Sequence, residues 1–307
     1  MLHLQNTKSS ALFVYILDSL EKEATGEAGK WWLHNSLLKL QDSLKDEFNI
    51  NLIVVVGEAG SVIKGLINKY KINEVIWNRL YSQKSINRDS IIKKSLQNNN
   101  IDVQTFNGHL LNEPWEVQNN SGQYFKVFTP YWRRAYEVYK SKKYQVKDIS
   151  VIKSLKHQEK SQWNFLPKKN WYLKFEDHWE PGEEAALLKL KKYINEDIDY
   201  YKEGRDRPDL DKTSKLSPHL RFGEISPRKI VNQIAKSKKQ NISVTTFLSE
   251  IGWREFSYSL LYYSRDLANI PINEKFTKFP WRKNEKDFQL WKNAQTGIPL
   301  IDAAMKQ

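Results

Sequence analysis

With 307 residues, 40% of them hydrophobic, the chain is long enough for about two domains with sizeable cores, which excludes a wholly disordered polypeptide. Lys and Arg number 49 against 36 Asp and Glu, and the formal net charge of +13 favours a polyanionic partner such as nucleic acid, with solvated helix lysines as the plainer reading. There is no cysteine, hence no disulfide framework, thiolate metal site or cysteine nucleophile. The six histidines form no close metal pair, and no run reaches the roughly twenty apolar residues of a membrane span. The expectation is a soluble cytoplasmic chain, monomeric, with neither membrane nor metal partners.

In chain order, Leu12 to Asp18, Leu52 to Gly57, Glu74 to Asn78 and Asp102 to Phe106 read as strands. Helical patterns lie between them: Trp32, Leu33, Leu37, Leu40 and Leu44, then Val62, Ile63, Leu66, Ile67 and Tyr70, then Ile91, Ile92 and Leu96. Strands alternating with helices and apolar on both faces predict an α/β domain, a doubly wound parallel sheet, over 1–138. Gly57 to Ser61 sits at a strand-to-helix turn where such sheets bind ligands, but it is not a dinucleotide fingerprint, and a plain turn is the simpler reading.

From Tyr139 to Lys174 the pattern stops. Lys140, Lys142, Lys143, Lys147, Lys153, Lys156, Lys160, Lys168 and Lys169 punctuate a weakly apolar segment, which reads as an interdomain linker over 139–177. After Pro181-Gly182-Glu183-Glu184 the chain becomes mainly α, over 178–307, with Ser226-Pro227 opening one helix and Val244 to Tyr263 forming a long one.

Functional residue types crowd between Thr213 and Glu255. Ser217 and Pro218 read as the N-cap and first turn of a helix, with the Thr213 and Ser214 hydroxyls just upstream; such donors suit a phosphate, or simply cap the helix. Helical spacing places Glu250, Trp253, Arg254 and Ser257 on one face, where Glu250 and Arg254 can equally be an ordinary ion pair.

The order of the pieces carries more than any one of them. Tyr200-Tyr201, Arg205-Asp206-Arg207-Pro208, Thr213-Ser214-Lys215-Leu216-Ser217, Phe222-Gly223-Glu224-Ile225-Ser226-Pro227, Trp253-Arg254-Glu255-Phe256, Phe279-Pro280-Trp281 and Thr296-Gly297 through Met305 follow in register. That series resembles the flavin-binding half of the photolyase and cryptochrome family, most closely the class I cyclobutane pyrimidine dimer photolyases. A looser resemblance runs through Trp31-Trp32-Leu33-His34, Trp77-Asn78-Arg79, Phe106-Asn107-Gly108, Glu113-Pro114-Trp115 and Lys126 to Pro130.

The resemblance implies a noncovalent FAD in the helical domain and light-driven electron transfer into a pyrimidine dimer flipped out of UV-damaged DNA. It implies FAD contacts at Tyr201, Thr213, Ser214, Lys215, Leu216, Ser217, Phe247, Glu250 and Arg254, with Phe247 standing where relatives often carry tryptophan. Glu250 and Trp253 would read the dimer, Arg205 and Arg254 would face DNA, and Trp281 would be the outermost tryptophan of a photoreduction chain. The α/β domain would hold an antenna, folate or deazaflavin; nothing selects one.

Measured against the family, the chain is expected to be truncated at both ends, lacking the first strand and part of the flavin cavity, and therefore to bind FAD weakly or not at all by itself. Two other functions stay open: a cryptochrome-type photoreceptor, and a flavin-free nucleic-acid-binding protein.

Overall fold

The computed structural model describes residues 2–18, 25–142, 152–157, 159, 163–264, 266–267 and 269–306. Lys143, Lys147 and Lys160 of the linker reading lie outside the described residues. The chain divides into two compact units, Met1–Tyr263 and Ser264–Gln307.

In the first unit, strands β1 (Phe13–Leu17), β2 (Leu52–Val56), β3 (Glu74–Asn78) and β4 (Asp102–Phe106) form where the apolar runs place them. Between them lie α1 (Glu27–Phe48), α2 (Ala59–Tyr70) and α3 (Gln83–Asn98). Strands β1 and β2 pair in parallel with Phe13 opposite Leu52, and β3 and β4 pair in parallel with Glu74 opposite Asp102. Alternate strand residues face opposite ways. Accordingly Phe13, Tyr15, Leu17, Leu52 and Val54 pack with Leu33, Leu37 and Leu44 of α1, while Ile16, Val75 and Val103 pack with Ala59, Ile92 and Leu96 of α2 and α3. Helices on both faces explain why β1 and β2 carry no polar side.

The turn at Gly57 to Ser61 is a plain strand-to-helix turn. Asp18 Oδ2 accepts from the Ala59 amide at 2.9 Å, and Glu58 accepts from Gly60 and Ser61 at 2.8 and 2.6 Å. Two carboxylates already occupy the donors an anion would need.

The helical part of this unit comprises α4 (Phe128–Ser141), α5 (Glu183–Glu196), α6 (Ser217–Phe222), α7 (Pro227–Ser237) and α8 (Ile242–Tyr263). Their shared core contains Leu190, Ile194, Leu216, Leu220, Ile230, Phe247 and Ile251, together with Leu111 and Tyr139. Ser226 caps α7 as expected, accepting from the Lys229 amide at 3.1 Å. Helix α6 departs from expectation: Leu216 holds the cap position and Ser217 lies in the first turn. Lys215 turns left-handed at φ +50° and drives the Leu216 side chain into the core, so burial of an apolar side chain outweighs a hydroxyl cap there.

Two contacts set how the layers meet. The Trp32 indole of α1 donates to Glu224 Oε1 at 3.0 Å, and the Gly182 amide at the head of α5 donates to the same oxygen at 2.8 Å. Helix α8 crosses α4 at Gly252, where an added Cβ would lie 2.5 Å from the Trp132 ring. In the second unit, α9 (Glu285–Lys292) precedes α10 (Pro299–Lys306), whose Asp302 accepts from the Thr296 and Gly297 amides at 2.9 and 3.1 Å. No described helix is long and apolar enough to cross a membrane.

Because the Trp132 ring is rigid, Gly252→Ala should force α4 and α8 apart and cost about 1–3 kcal/mol in urea unfolding. Gly65→Ala in α2, with nothing within 4 Å of the added carbon, should be neutral or slightly stabilising by the same measurement.

Candidate functional site

One face of α8 carries the site. Glu250 pairs with Arg205 Nη1, and the Arg205 guanidinium lies 5.6 Å from the centre of the Tyr201 ring. Tyr201 meets Phe247 edge-on at 5.2 Å, and Tyr193 packs against both rings, 5.0 Å from Phe247 and 6.4 Å from Tyr201. Glu250, Arg205, Tyr201 and Phe247 are therefore one continuous cluster, running from a half-exposed ion pair to buried rings. The hydrogen bond that Arg205 donates to Glu250 raises the pKa of Arg205, and burial, with the Glu250 charge adding to it, raises that of the Tyr201 hydroxyl.

Trp253 stands three residues along the same helix and stays 45% exposed. Its indole is stacked on Phe128, the first residue of α4, with centroids 3.7 Å apart and planes 8° from parallel. Both rings meet Phe256 obliquely, at 5.9 and 6.0 Å.

Arg254 does not share that rim, which corrects the expectation from helical spacing. Its Nη1 donates to the His109 carbonyl at 2.8 Å and lies 3.3 Å from Glu255 Oε1, while its guanidinium covers the Tyr258 ring at 4.8 Å. A buried carboxylate and a main-chain acceptor hold it better than an exposed Glu250 could, and Glu250 is left to Arg205. Glu255 is buried and accepts from the Leu111 and Asn112 amides at 2.7 and 3.4 Å; burial pushes its pKa up to about 7 against the opposing pull of Arg254.

The segment Thr213 to Ser217 is a donor-rich turn. Thr213, Lys215 and Ser217 are exposed; Ser214 Oγ accepts weakly from the Leu216 amide at 3.4 Å, and Lys215 pairs with Asp211 at 2.6 Å. With the Leu216 side chain in the core, only its main chain can face a ligand. Trp281 belongs to the second unit, where it is 71% exposed, rests against Phe279 at 4.6 Å and donates to the Phe276 carbonyl at 3.2 Å.

Residues 1–149 match the DNA photolyase family, and residues 247–307 match the FAD binding domain of DNA photolyase. A deoxyribodipyrimidine photo-lyase of Agrobacterium fabrum is 37% identical over 92% of this chain and 60% of its own length. The crystal structure of a bacterial class III photolyase from Agrobacterium tumefaciens superposes with a TM-score of 0.87 at 34% identity, over 97% of this chain and 63% of that one. The chain belongs to the DNA photolyase and cryptochrome family. Cryptochrome-1 of Arabidopsis thaliana is 30% identical over 97% of the chain and 46% of its own length. The chain thus spans about three-fifths or less of the length of these relatives. The solved relative is a class III enzyme, whereas the motifs alone suggested class I.

Within the family fold, the N-terminal motifs prove to be joints. Trp77-Asn78-Arg79, Phe106-Asn107-Gly108 and Glu113-Pro114-Trp115 meet where Arg79 Nε donates to the buried Glu113 at 3.0 Å and Arg79 Nη1 to the Thr105 carbonyl at 2.6 Å. Asn107 Oδ1 accepts from the His109 and Leu110 amides at 3.1 and 2.8 Å, shaping the loop that Glu255 receives. Sequence reasoning missed Glu113, Glu224 and Glu255 as buried acceptors and Phe128 as the partner of Trp253, although each lies in a motif it quoted.

His109 is largely buried at this junction, and burial, reinforced by the Arg254 and Arg221 charges, lowers its pKa to about 4. A histidine whose folded pKa lies below its unfolded value of about 6.5 adds stability above pH 6.5, and that stability is lost as pH falls towards 4. Unfolding free energies at pH 7 and 4.5 should differ more in the native chain than in His109→Leu, by roughly 2–3 kcal/mol. Glu255 titrates in the same window with the opposite sign, and because it is present in both proteins it largely cancels from the comparison.

Proposed function

We propose that this chain carries the phosphate-holding and lesion-reading part of a light-dependent DNA repair enzyme, a deoxyribodipyrimidine photo-lyase that splits cyclobutane pyrimidine dimers in UV-damaged DNA. The observation that carries this reading is the rim of α8: an exposed indole at Trp253 beside a carboxylate acceptor at Glu250, itself bridged to Arg205. Aromatic faces stack on unstacked bases, a carboxylate accepts from base N–H groups, and a fixed guanidinium meets backbone phosphate. The names of the photolyase relatives support the same reading.

The residues fit FAD. Tyr201, Thr213, Ser214, Lys215 and Ser217, with the Leu216 main chain, offer the hydroxyl, amide and ammonium donors a pyrophosphate needs. Phe247 supplies an apolar wall. Arg254 Nη2 is a buried donor without a partner among the described residues, an atom that a flavin acceptor would satisfy. When bound, FAD absorbs light and supplies the electron that opens the dimer. Trp281 is proposed as an exposed relay that restores an oxidised cofactor. Division into 1–138, 139–177 and 178–307, a folate or deazaflavin antenna, a monomeric state and a cytoplasmic location complete the proposal. Similarity to Cryptochrome-1 favours a second reading, a blue-light photoreceptor without repair.

With reduced FAD in excess, blue light should remove dimers from a UV-irradiated oligonucleotide. Trp253→Ala should weaken binding to that oligonucleotide by about 5- to 100-fold, the worth of one lost base stack. Bound reduced FAD with dimer content unchanged under light would overturn the repair reading in favour of the photoreceptor.

A further inference from the structure

The proposed lesion-reading indole has only one open face. Phe128 covers the other, nearly parallel at 3.7 Å, and Phe256 wedges against both rings. The arrangement is built by the backbone: Val127, extended at φ −131° and ψ 137°, delivers Phe128 as the first residue of α4. Phe128 and Trp132 are four residues apart and share one face of that helix. Trp132 rests on the bare Cα of Gly252, so the helices approach closely, and the next residue of α8, Trp253, meets Phe128.

We infer that Phe128 is a positioning residue for lesion recognition: it fixes the Trp253 indole before DNA arrives, so that a flipped base stacks on the one face left open. The inference rests on the lesion-reading function proposed above. An exposed tryptophan normally samples several rotamers and loses that freedom on binding. Stacked on Phe128, Trp253 has lost most of it in advance. A ring beneath it also blocks a second base from intercalating on that side, which makes the platform single-sided. The effect belongs to flipped bases and not to phosphate contacts, so damaged and undamaged DNA separate it from a general loss of affinity.

The test is equilibrium binding of the full chain to a UV-irradiated oligonucleotide and to the same oligonucleotide unirradiated, for native chain, Phe128→Leu, Phe128→Tyr and Trp253→Ala. Phe128→Leu should bind irradiated DNA about three- to tenfold more weakly, as expected for loss of one aromatic pair, with unirradiated binding unchanged. Phe128→Tyr, which keeps the ring, should restore the native ratio. Unchanged discrimination in Phe128→Leu, while Trp253→Ala loses it, would overturn the inference and leave the lesion reading intact. Equal loss in Phe128→Leu and Phe128→Tyr would reduce Phe128 to packing and also overturn it. A native chain that does not distinguish the two DNAs would sink the lesion reading and this inference with it.

Discussion

Buried carboxylates that accept from main-chain amides hold this structure in register. Glu255, in the middle of α8, receives the Leu111 and Asn112 amides from the loop that leaves the parallel sheet, while Glu224 receives the Trp32 indole and the Gly182 amide. An unpaired buried charge is costly, so each carboxylate admits only geometries in which those donors arrive. The fully buried His219 Nδ1 also hydrogen-bonds Glu224 Oε2 at 2.5 Å, which joins α6 to the same point. The α/β layer therefore fixes both the rotation and the height of the helix that presents Glu250 and Trp253.

The site follows from that constraint. On α8 Phe247, Ile251, Gly252 and Glu255 are buried and pack or anchor, while Trp253 stays exposed and Glu250 half-exposed. Glu250 finds its partner in Arg205 from a different segment, Trp253 finds Phe128, and Arg254 turns towards the His109 carbonyl. A single helix thus offers a charged corner and a flat aromatic platform side by side. Because Arg205 holds Glu250 while stacking over Tyr201, the corner that would meet DNA is coupled to the rings that line the proposed cofactor wall.

Much of the fold was legible in the sequence because it is written in side-chain periodicity. Leu52 to Val56 is an apolar run of strand length, and Trp32 through Leu44 repeats at helical spacing. The candidate site was legible as residue types and only partly as geometry. Periodicity placed Glu250 and Trp253 on an exposed face but gave Arg254 to the same face, since it does not register that a carboxylate one residue on and a carbonyl 145 positions away would capture the guanidinium. Ser217 looked like a cap because hydroxyl before proline usually is one, whereas burial of Leu216 decided the turn. Glu255 was illegible for a deeper reason: its partners are mainly backbone N–H groups, which every residue possesses and no side-chain pattern reveals, and Glu224 draws two of its donors from Trp32 and Gly182, far away in the sequence.

Amide hydrogen exchange at Leu111 and Asn112, compared between the native chain and Glu255→Leu, tests the anchoring claim most directly. In the native chain these two amides should exchange as slowly as core amides of α8. Removing the acceptor should release them selectively and weaken binding to UV-irradiated DNA, because the rim of α8 loses its fixed position. Protection at Leu111 and Asn112 that survives the substitution, with damaged-DNA binding intact, would contradict the account.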